Sequence, residues 1–274
     1  MTLDSRRRTY WILFFMALTA LSAAVFLSLP LFSNRVDASI LNPSHAVRQW
    51  SFLGFRSGSV PAAAGGGILA ALFATLALAY VLISFRKTAS PEIFFFAFWI
   101  LSLALESGRI LAFRLAVEGA GTWSSFANRA VLAARFSGYG SLFLAGLHAS
   151  GFRSERLGRS VASVVGIALA FASTLPLDTG TYEPTLLMRM GYARVDRLSL
   201  TLLAIVSLVN FSLGASLTGE RRFRVIAIGA VLMLAGQYLL LHEWRPEYLL
   251  LAIVLLGAGS RLFISRLHSY YLWQ

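Results

Sequence analysis

The chain contains no cysteine and few charged residues, and both scarcities limit what it can be. Without cysteine it has no disulfide, no thiolate nucleophile and no cysteine-bound metal. Charged residues make up 13% of its 274 residues and hydrophobic residues 57%, whereas a soluble chain carries about 25% charged residues. Because a water-soluble fold of this length cannot bury so much apolar surface, we expect the chain to lie in a lipid bilayer.

Lysine, histidine and the usual catalytic motifs are scarce as well. The only lysine, Lys87, lies in a short polar segment between two apolar runs, which argues against a retinal Schiff base inside the membrane. No two of the four histidines are spaced i, i+3 or i, i+4, so we predict no metal site, no haem and no other cofactor. No glycine-rich phosphate loop, serine nucleophile elbow or HExxH pattern occurs. These absences favour a non-enzyme.

Long apolar runs dominate what is present. A membrane-crossing helix needs about 20 mostly apolar residues, and eight stretches meet that requirement. They are too long, and alternate too little, to be strands of a membrane barrel. We therefore predict an all-α, polytopic helical membrane protein, with residues 1–274 forming a single transmembrane domain. The predicted spans lie near 10–33, 65–85, 92–117, 130–148, 160–177, 198–218, 225–242 and 248–265.

The net charge of +12 comes from short basic clusters between these runs. Such clusters orient membrane helices and do not predict a nucleic-acid partner. With the N-terminus inside, the inner segments hold 12 Arg and Lys in 41 residues, and the outer segments hold 8 in 68. The first span has too long an apolar core for a cleaved signal. We therefore expect a multi-pass protein of the cytoplasmic (inner) membrane, with both termini cytoplasmic.

The two longest loops are predicted to be connections without a domain of their own. In the loop before the second span, Ala46, Val47, Trp50 and Leu53 follow helical spacing. That spacing fits a short helix at the membrane interface or an irregular loop. Residues 61–67 are rich in alanine and glycine and predict a flexible entry into the second span. The loop at 178–197 carries both charge signs and a net charge near zero, so it is a poor funnel for anions.

Charged groups at membrane depth are the main functional signal, because each costs about 2.5–3.5 kcal/mol on insertion scales. Glu106 is the only acid well inside any predicted span, and Arg109 follows it at i+3, close enough for a direct ion pair. The fourth span descends from the outer side, which places Arg135 at a comparable depth and Tyr139 one turn deeper. We expect these four residues to converge between the third and fourth spans.

Two further polar residues lie toward the outer end of the seventh span. Gln237 and His242 are placed where they can line the same outward-facing cavity as the cluster. The whole group, Glu106, Arg109, Arg135, Tyr139, Gln237 and His242, is the predicted ligand-binding site. In a structural alternative, the ion pairs only fasten the third span to the fourth. In the functional alternative, arginines in excess over one carboxylate bind a carboxylate or phosphate ligand.

Three functions follow from this site. The first is a ligand-sensing or accessory membrane module that binds a small anionic ligand or a lipid headgroup. Because only nine residues follow the last span, such a module is expected to act with a partner protein. The second is a membrane enzyme acting on a lipid-linked or acylated anionic substrate, with Glu106 as acid or base. The third is a small solute permease. Membrane lipid is a partner in each case.

Overall fold

The computed structural model describes residues 3–32, 60–85, 90–152, 156–218, 221–242 and 246–272. The chain is mostly helical (87%). Eight of its helical segments are long and apolar enough to cross a bilayer, one for each predicted span. It is therefore a multi-pass membrane protein. The helices are α1 (Leu3–Phe32), α2 (Val60–Ser84), α3 (Pro91–Leu105), α4 (Gly108–Val117), α5 (Gly121–Ala149), α6 (Leu157–Thr174), α7 (Ala193–Thr218), α8 (Arg221–His242) and α9 (Pro246–Leu272).

The third span differs from the prediction of one continuous helix, because it is interrupted between α3 and α4. At the interruption, the amides of Ser107 and Arg109 donate to carbonyls three residues back, those of Ala104 and Glu106. The Ser107 hydroxyl also donates to the Ala104 carbonyl, over 2.7 Å. A side chain that binds the backbone of the preceding turn competes with the regular helical pattern and bends the helix. The interruption lies at the predicted polar cluster.

The start of the second span corrects another expectation. Residues 61–67 are not a flexible entry but part of α2, which begins at Val60. Pro61 is tolerated there because the amides of the first turn have no partner within the helix. Gly66 and Gly67 are buried within this helix, so it presents bare backbone to the rest of the bundle. We call these two residues the glycine surface of α2. The interfacial helix considered for residues 46–53 lies outside the described residues.

A short β-hairpin also departs from the all-α prediction. Strand β1 (Leu177–Tyr182) pairs antiparallel with β2 (Met188–Met190) in the connection from α6 to α7. It lies where α4 ends and α5 begins, since Tyr182 contacts Phe113 of α4, with 5.6 Å between the ring centroids. We call this the hairpin end of the bundle. The register pairs Leu177 with Met190, Asp178 with Arg189 and Tyr182 with Met188. The length of the apolar runs did not reveal this hairpin.

Helix α5 is the centre of the bundle and contacts α3, α4, α6 and α7. Small residues bring its neighbours close. A Cβ atom added at Gly138 would clash with Ser102 of α3, and one added at Gly146 would lie 3.0 Å from the Ser207 carbonyl of α7. Close approach over small residues is a common way of packing helices in lipid, where no hydrophobic effect drives them together. The third span and α5 are the two most deeply buried of the described spans.

Candidate functional site

Glu106 and Arg135 form a bidentate ion pair between the third span and α5. Arg135 Nε donates to Glu106 Oε1 over 2.7 Å, and Arg135 Nη2 donates to Oε2 over 2.9 Å. Both residues are almost completely buried, with 1% of Glu106 and 3% of Arg135 exposed. This planar two-point geometry is the strongest arrangement available to a guanidinium and a carboxylate. The structure therefore brings these two predicted site residues into direct contact.

Arg109 does not pair with Glu106 as its i+3 spacing suggested. The two residues stand on either side of the interruption in the third span, and both Glu106 oxygens are occupied by Arg135. Arg109 lies instead against the glycine surface of α2. A Cβ atom added at Gly66 would be 2.9 Å from Arg109 Nη2, and one added at Gly67 would be 3.4 Å from Nε. A side chain at Gly66 would require this guanidinium to move, whereas the distance from Gly67 is an ordinary van der Waals contact.

Arg109 is also an unpaired charge of the cluster among the described residues. It is 3% exposed, and within the described parts of the chain its Nε has no hydrogen-bond acceptor and its guanidinium forms no ion pair. Glu106 attracts it and Arg135 repels it. Because these two effects oppose each other, the charge of Arg109 is not cancelled by the neighbouring ion pair. Burying an unpaired guanidinium costs free energy, and an anion bound to it would offset part of that cost.

Asp196 belongs to the cluster, although the sequence analysis assigned it to a loop. Helix α7 begins at Ala193 and carries Asp196 in its first turn, where only 2% of the residue is exposed. Asp196 interacts electrostatically with Arg135 and Glu106, and its Oδ1 has no hydrogen-bond donor among the described residues. Asp196 also interacts with Arg197, and it adds a second acid to Glu106, which the predicted excess of arginine over one acid did not include. Arg109 and Asp196 each keep an unsatisfied polar atom among the described residues.

Tyr139 lies one helical turn from Arg135 on α5 and is 4% exposed. It interacts electrostatically with Arg135, Glu106 and Asp196, so the structure places it beside the ion pair. Its hydroxyl makes no hydrogen bond in the part of the chain that is described. The same side chain lines a cavity of about 420 Å³ between α7 and α8. Tyr139 therefore stands between the polar cluster and a groove on the bundle surface.

Gln237 is buried and holds α8 against α3. Its Oε1 accepts a hydrogen bond of 2.8 Å from Trp99 Nε1, and neither residue has measurable exposure. The amide nitrogen of Gln237 has no acceptor among the described residues. Sequence analysis did not identify Trp99 as its partner, because an indole in an apolar run looks like any other core residue. The predicted contact of Gln237 with the Glu106 cluster is not among the hydrogen bonds that it makes.

His242 is the last residue of α8, and its side chain is outside the described part of the structure. Its predicted place in the site therefore stays a prediction. Arg114, considered in the sequence as a residue near the membrane surface, pairs with Glu118 at i+4 over 2.5 Å. It lies apart from the buried cluster, because both partners are partly exposed.

A chain of hydrogen bonds joins the hairpin to the first two turns of α5. Ser124 of α5 shares a hydrogen bond of 2.7 Å with the Tyr182 hydroxyl. Asn128 accepts from the Met188 amide over 2.9 Å and donates to the Ser124 carbonyl over the same distance. Burial raises the pKa of Tyr182, so this hydroxyl stays protonated. On the exposed side of the hairpin, hydrogen bonds from Thr181 and the Gly180 amide lower the pKa of Asp178.

The chemistry of the cluster suits anion binding better than metal binding. Within the described residues, no group of three or more His, Asp or Glu side chains is placed to hold a metal ion. The cluster atoms left unsatisfied among the described residues are Arg109 Nε, a donor, and Asp196 Oδ1, an acceptor. An oxyanion could accept from the guanidinium of Arg109.

The chain matches no known protein family, no curated protein and no solved structure. Its function must therefore be argued from its own side chains.

Proposed function

We propose that this chain is an inner-membrane module that binds a small anionic ligand at Arg109 and acts with a partner protein. The supporting observation is the unpaired guanidinium, which is buried against Gly66 and Gly67. An anion that bound there would supply the missing acceptor and offset part of the burial penalty. Both termini are proposed to be cytoplasmic, which directs the hairpin end outward, to the side from which the ligand would come.

The neighbouring ion pair supports binding over catalysis. An acid–base residue must offer an oxygen to the substrate, whereas both oxygens of Glu106 accept hydrogen bonds from Arg135. Glu106 is better suited to hold Arg135 in place and to keep the third span attached to α5. The enzyme hypothesis therefore receives no support from the group that it required.

The ligand site is tested with Arg109→Gln, using protein in lipid nanodiscs and inorganic phosphate and succinate as probes. We expect at least one probe to bind the unchanged protein and to raise its melting temperature. Arg109→Gln should weaken that binding by about tenfold or more, because a charge-assisted hydrogen bond contributes about 1.5–3 kcal/mol. Calorimetry measures the affinity directly.

The matched control is Arg114→Gln, which removes an arginine from the same helix but from the partly exposed pair with Glu118. It should bind the probes as the unchanged protein does. Equal binding by Arg109→Gln and the unchanged protein, or no binding of either probe, would contradict the proposal.

A permease is a second candidate, and the interruption of the third span favours it. Transporters often place discontinuous helices at their binding sites, and here the interruption adjoins Glu106 and Arg109. Proteoliposomes loaded with buffer and given labelled succinate or phosphate separate the two functions. Uptake that is lost in Arg109→Gln would identify a permease, whereas binding without uptake would support the sensing or accessory module.

A further inference from the structure

A groove between α7 and α8 is a cavity separate from the proposed anion site. Its volume is about 420 Å³, within the range of small-molecule sites. Its walls are apolar and include Leu200, Ala204, Leu208 and Leu234. Ile205 and Val231 at its rim are about half exposed. Because exposed apolar residues of a membrane-spanning helix face lipid, the groove opens sideways into the bilayer.

The polar groups of the groove are concentrated at one end. Arg197, in the first helical turns of α7 at the hairpin end, is exposed and lines the groove together with Thr201. Tyr238 of α8 lines the same end, since α8 runs antiparallel to α7. The groove thus has a cationic end near the membrane surface and an apolar remainder. An anionic lipid has the complementary distribution of charge and apolar surface.

The length of the groove is close to the hydrocarbon thickness of one bilayer leaflet. Its α7 lining runs from Arg197 to Leu208, which is about 17 Å at 1.5 Å per residue. One leaflet of the hydrocarbon core is about 15 Å thick, half of about 30 Å. A lipid whose phosphate lies at Arg197 would therefore extend its acyl chain along the whole groove.

Tyr139 is the independent observation that points to an occupant. This residue is only 4% exposed and lines the groove, and its hydroxyl makes no hydrogen bond to the described residues. The hydroxyl oxygen itself is not buried, so it is open to the groove and can donate a hydrogen bond to a bound molecule or to water. A polar group on the wall of the groove indicates an occupant that carries a polar part as well as an apolar chain.

We propose that this groove binds one anionic phospholipid of the bilayer, with its phosphate at Arg197, its ester region at Tyr139 and one acyl chain between α7 and α8. The guanidinium of Arg197 binds the phosphate oxygens, as arginine does in other phosphate sites. This site is separate from the ligand site at Arg109, and either can exist without the other.

The test compares lipid retention in matched variants. Protein is reconstituted in nanodiscs of equal parts phosphatidylglycerol and phosphatidylcholine and extracted into detergent, and the retained lipid is counted by native mass spectrometry. We expect one phosphatidylglycerol to remain on the unchanged protein. Arg197→Gln should lower that retention by about tenfold, and Arg194→Gln, an exposed arginine of the same helical turn that does not line the groove, should not change it.

The apolar part of the groove is tested with Ala204→Phe, which places a ring among the lining residues. It should abolish lipid retention, whereas Ala258→Phe, at an exposed position of α9, should not. If Ala204→Phe does not fold, as judged by melting and size exclusion, the smaller change Ala235→Leu on the opposite wall replaces it. Full retention in the folded groove variant, or equal loss in Arg194→Gln and Arg197→Gln, would overturn the proposal. It would also be overturned if Ala204→Phe separated a dimer without changing lipid retention, because the groove would then be an interface between copies.

Discussion

Arg135 and Arg109 belong to one polar cluster and are equally buried, each with 3% of the residue exposed, but they are satisfied in opposite ways. Arg135 has a carboxylate across its guanidinium, with two hydrogen bonds below 3 Å. Arg109 faces the bare backbone of Gly66 and Gly67 and has no acceptor for its Nε in the described chain. The guanidinium of Arg135 is therefore paired, whereas that of Arg109 lacks an acceptor among the described residues.

We propose that this difference assigns one arginine to each of the two roles that the sequence left open. An ion pair with good geometry is a structural element, because removal of one partner leaves an uncompensated buried charge. A buried charge without a partner is hard to explain by stability and is a functional hypothesis by default. On this proposal, Arg135 fastens the third span to α5 and Arg109 is the residue that binds a ligand.

The largest effect is expected from Arg135→Met, which leaves the Glu106 carboxylate buried without its partner. Breaking a buried pair costs about 3–5 kcal/mol, measured here as the free energy of unfolding in lipid-containing micelles. The double variant Glu106→Gln, Arg135→Met removes both charges and should recover most of that loss. If the double variant were as unstable as the single one, the ion pair would not be the source of the effect.

An intermediate effect is expected from Gly66→Ala. The new Cβ would lie 2.9 Å from Arg109 Nη2 and 3.1 Å from Leu249, and overpacking typically costs about 1–3 kcal/mol. Gly65→Ala is the matched control, because no atom lies within 4 Å of a Cβ placed there. Alanine also favours a helix over glycine by about 1 kcal/mol, so the control should be unchanged or slightly more stable. Equal stabilities of the two variants would mean that the ends of the Arg109 and Leu249 side chains move away from position 66 at little cost, so that the contact is not a tight one.

The smallest effect is expected from Arg109→Met. Replacing an unpaired buried charge with an apolar side chain of similar length removes a desolvation penalty and no ion pair. The free energy of unfolding should therefore be unchanged or higher, although phosphate and succinate binding is lost. A decrease of more than about 2 kcal/mol would show that Arg109 is a structural residue like Arg135.

The spans were predictable from sequence because they depend on one property, the length of the apolar run. The depth of Glu106 and Arg135 followed from counting residues along two antiparallel helices. The choice of partner did not follow from counting, because the interruption at Ser107 separates Arg109 from Glu106 and depends on a side-chain hydrogen bond. Helical spacing assumes an unbroken helix, and this assumption failed at the one place that mattered for the site.

Asp196 was missed for a related reason. A hydropathy criterion starts a span at its first apolar residue, whereas α7 begins at Ala193, among charged residues. An acid in the first turn of a helix is favourable there because of the helix dipole, and this was the available signal that the helix starts earlier. The hairpin was missed because strands as short as β2, with three residues, leave little trace in hydropathy.

Asn128 uses both ends of its amide, one for the backbone of its own helix and one for strand β2. The α6–α7 connection is consequently anchored to the central helix. Since α7 begins three residues after β2 ends, its first turn, with Asp196, is tied to α5 through this strand. We therefore expect any tilting of α7 to move its C-terminal half more than its first turn, which would keep Asp196 beside Arg135.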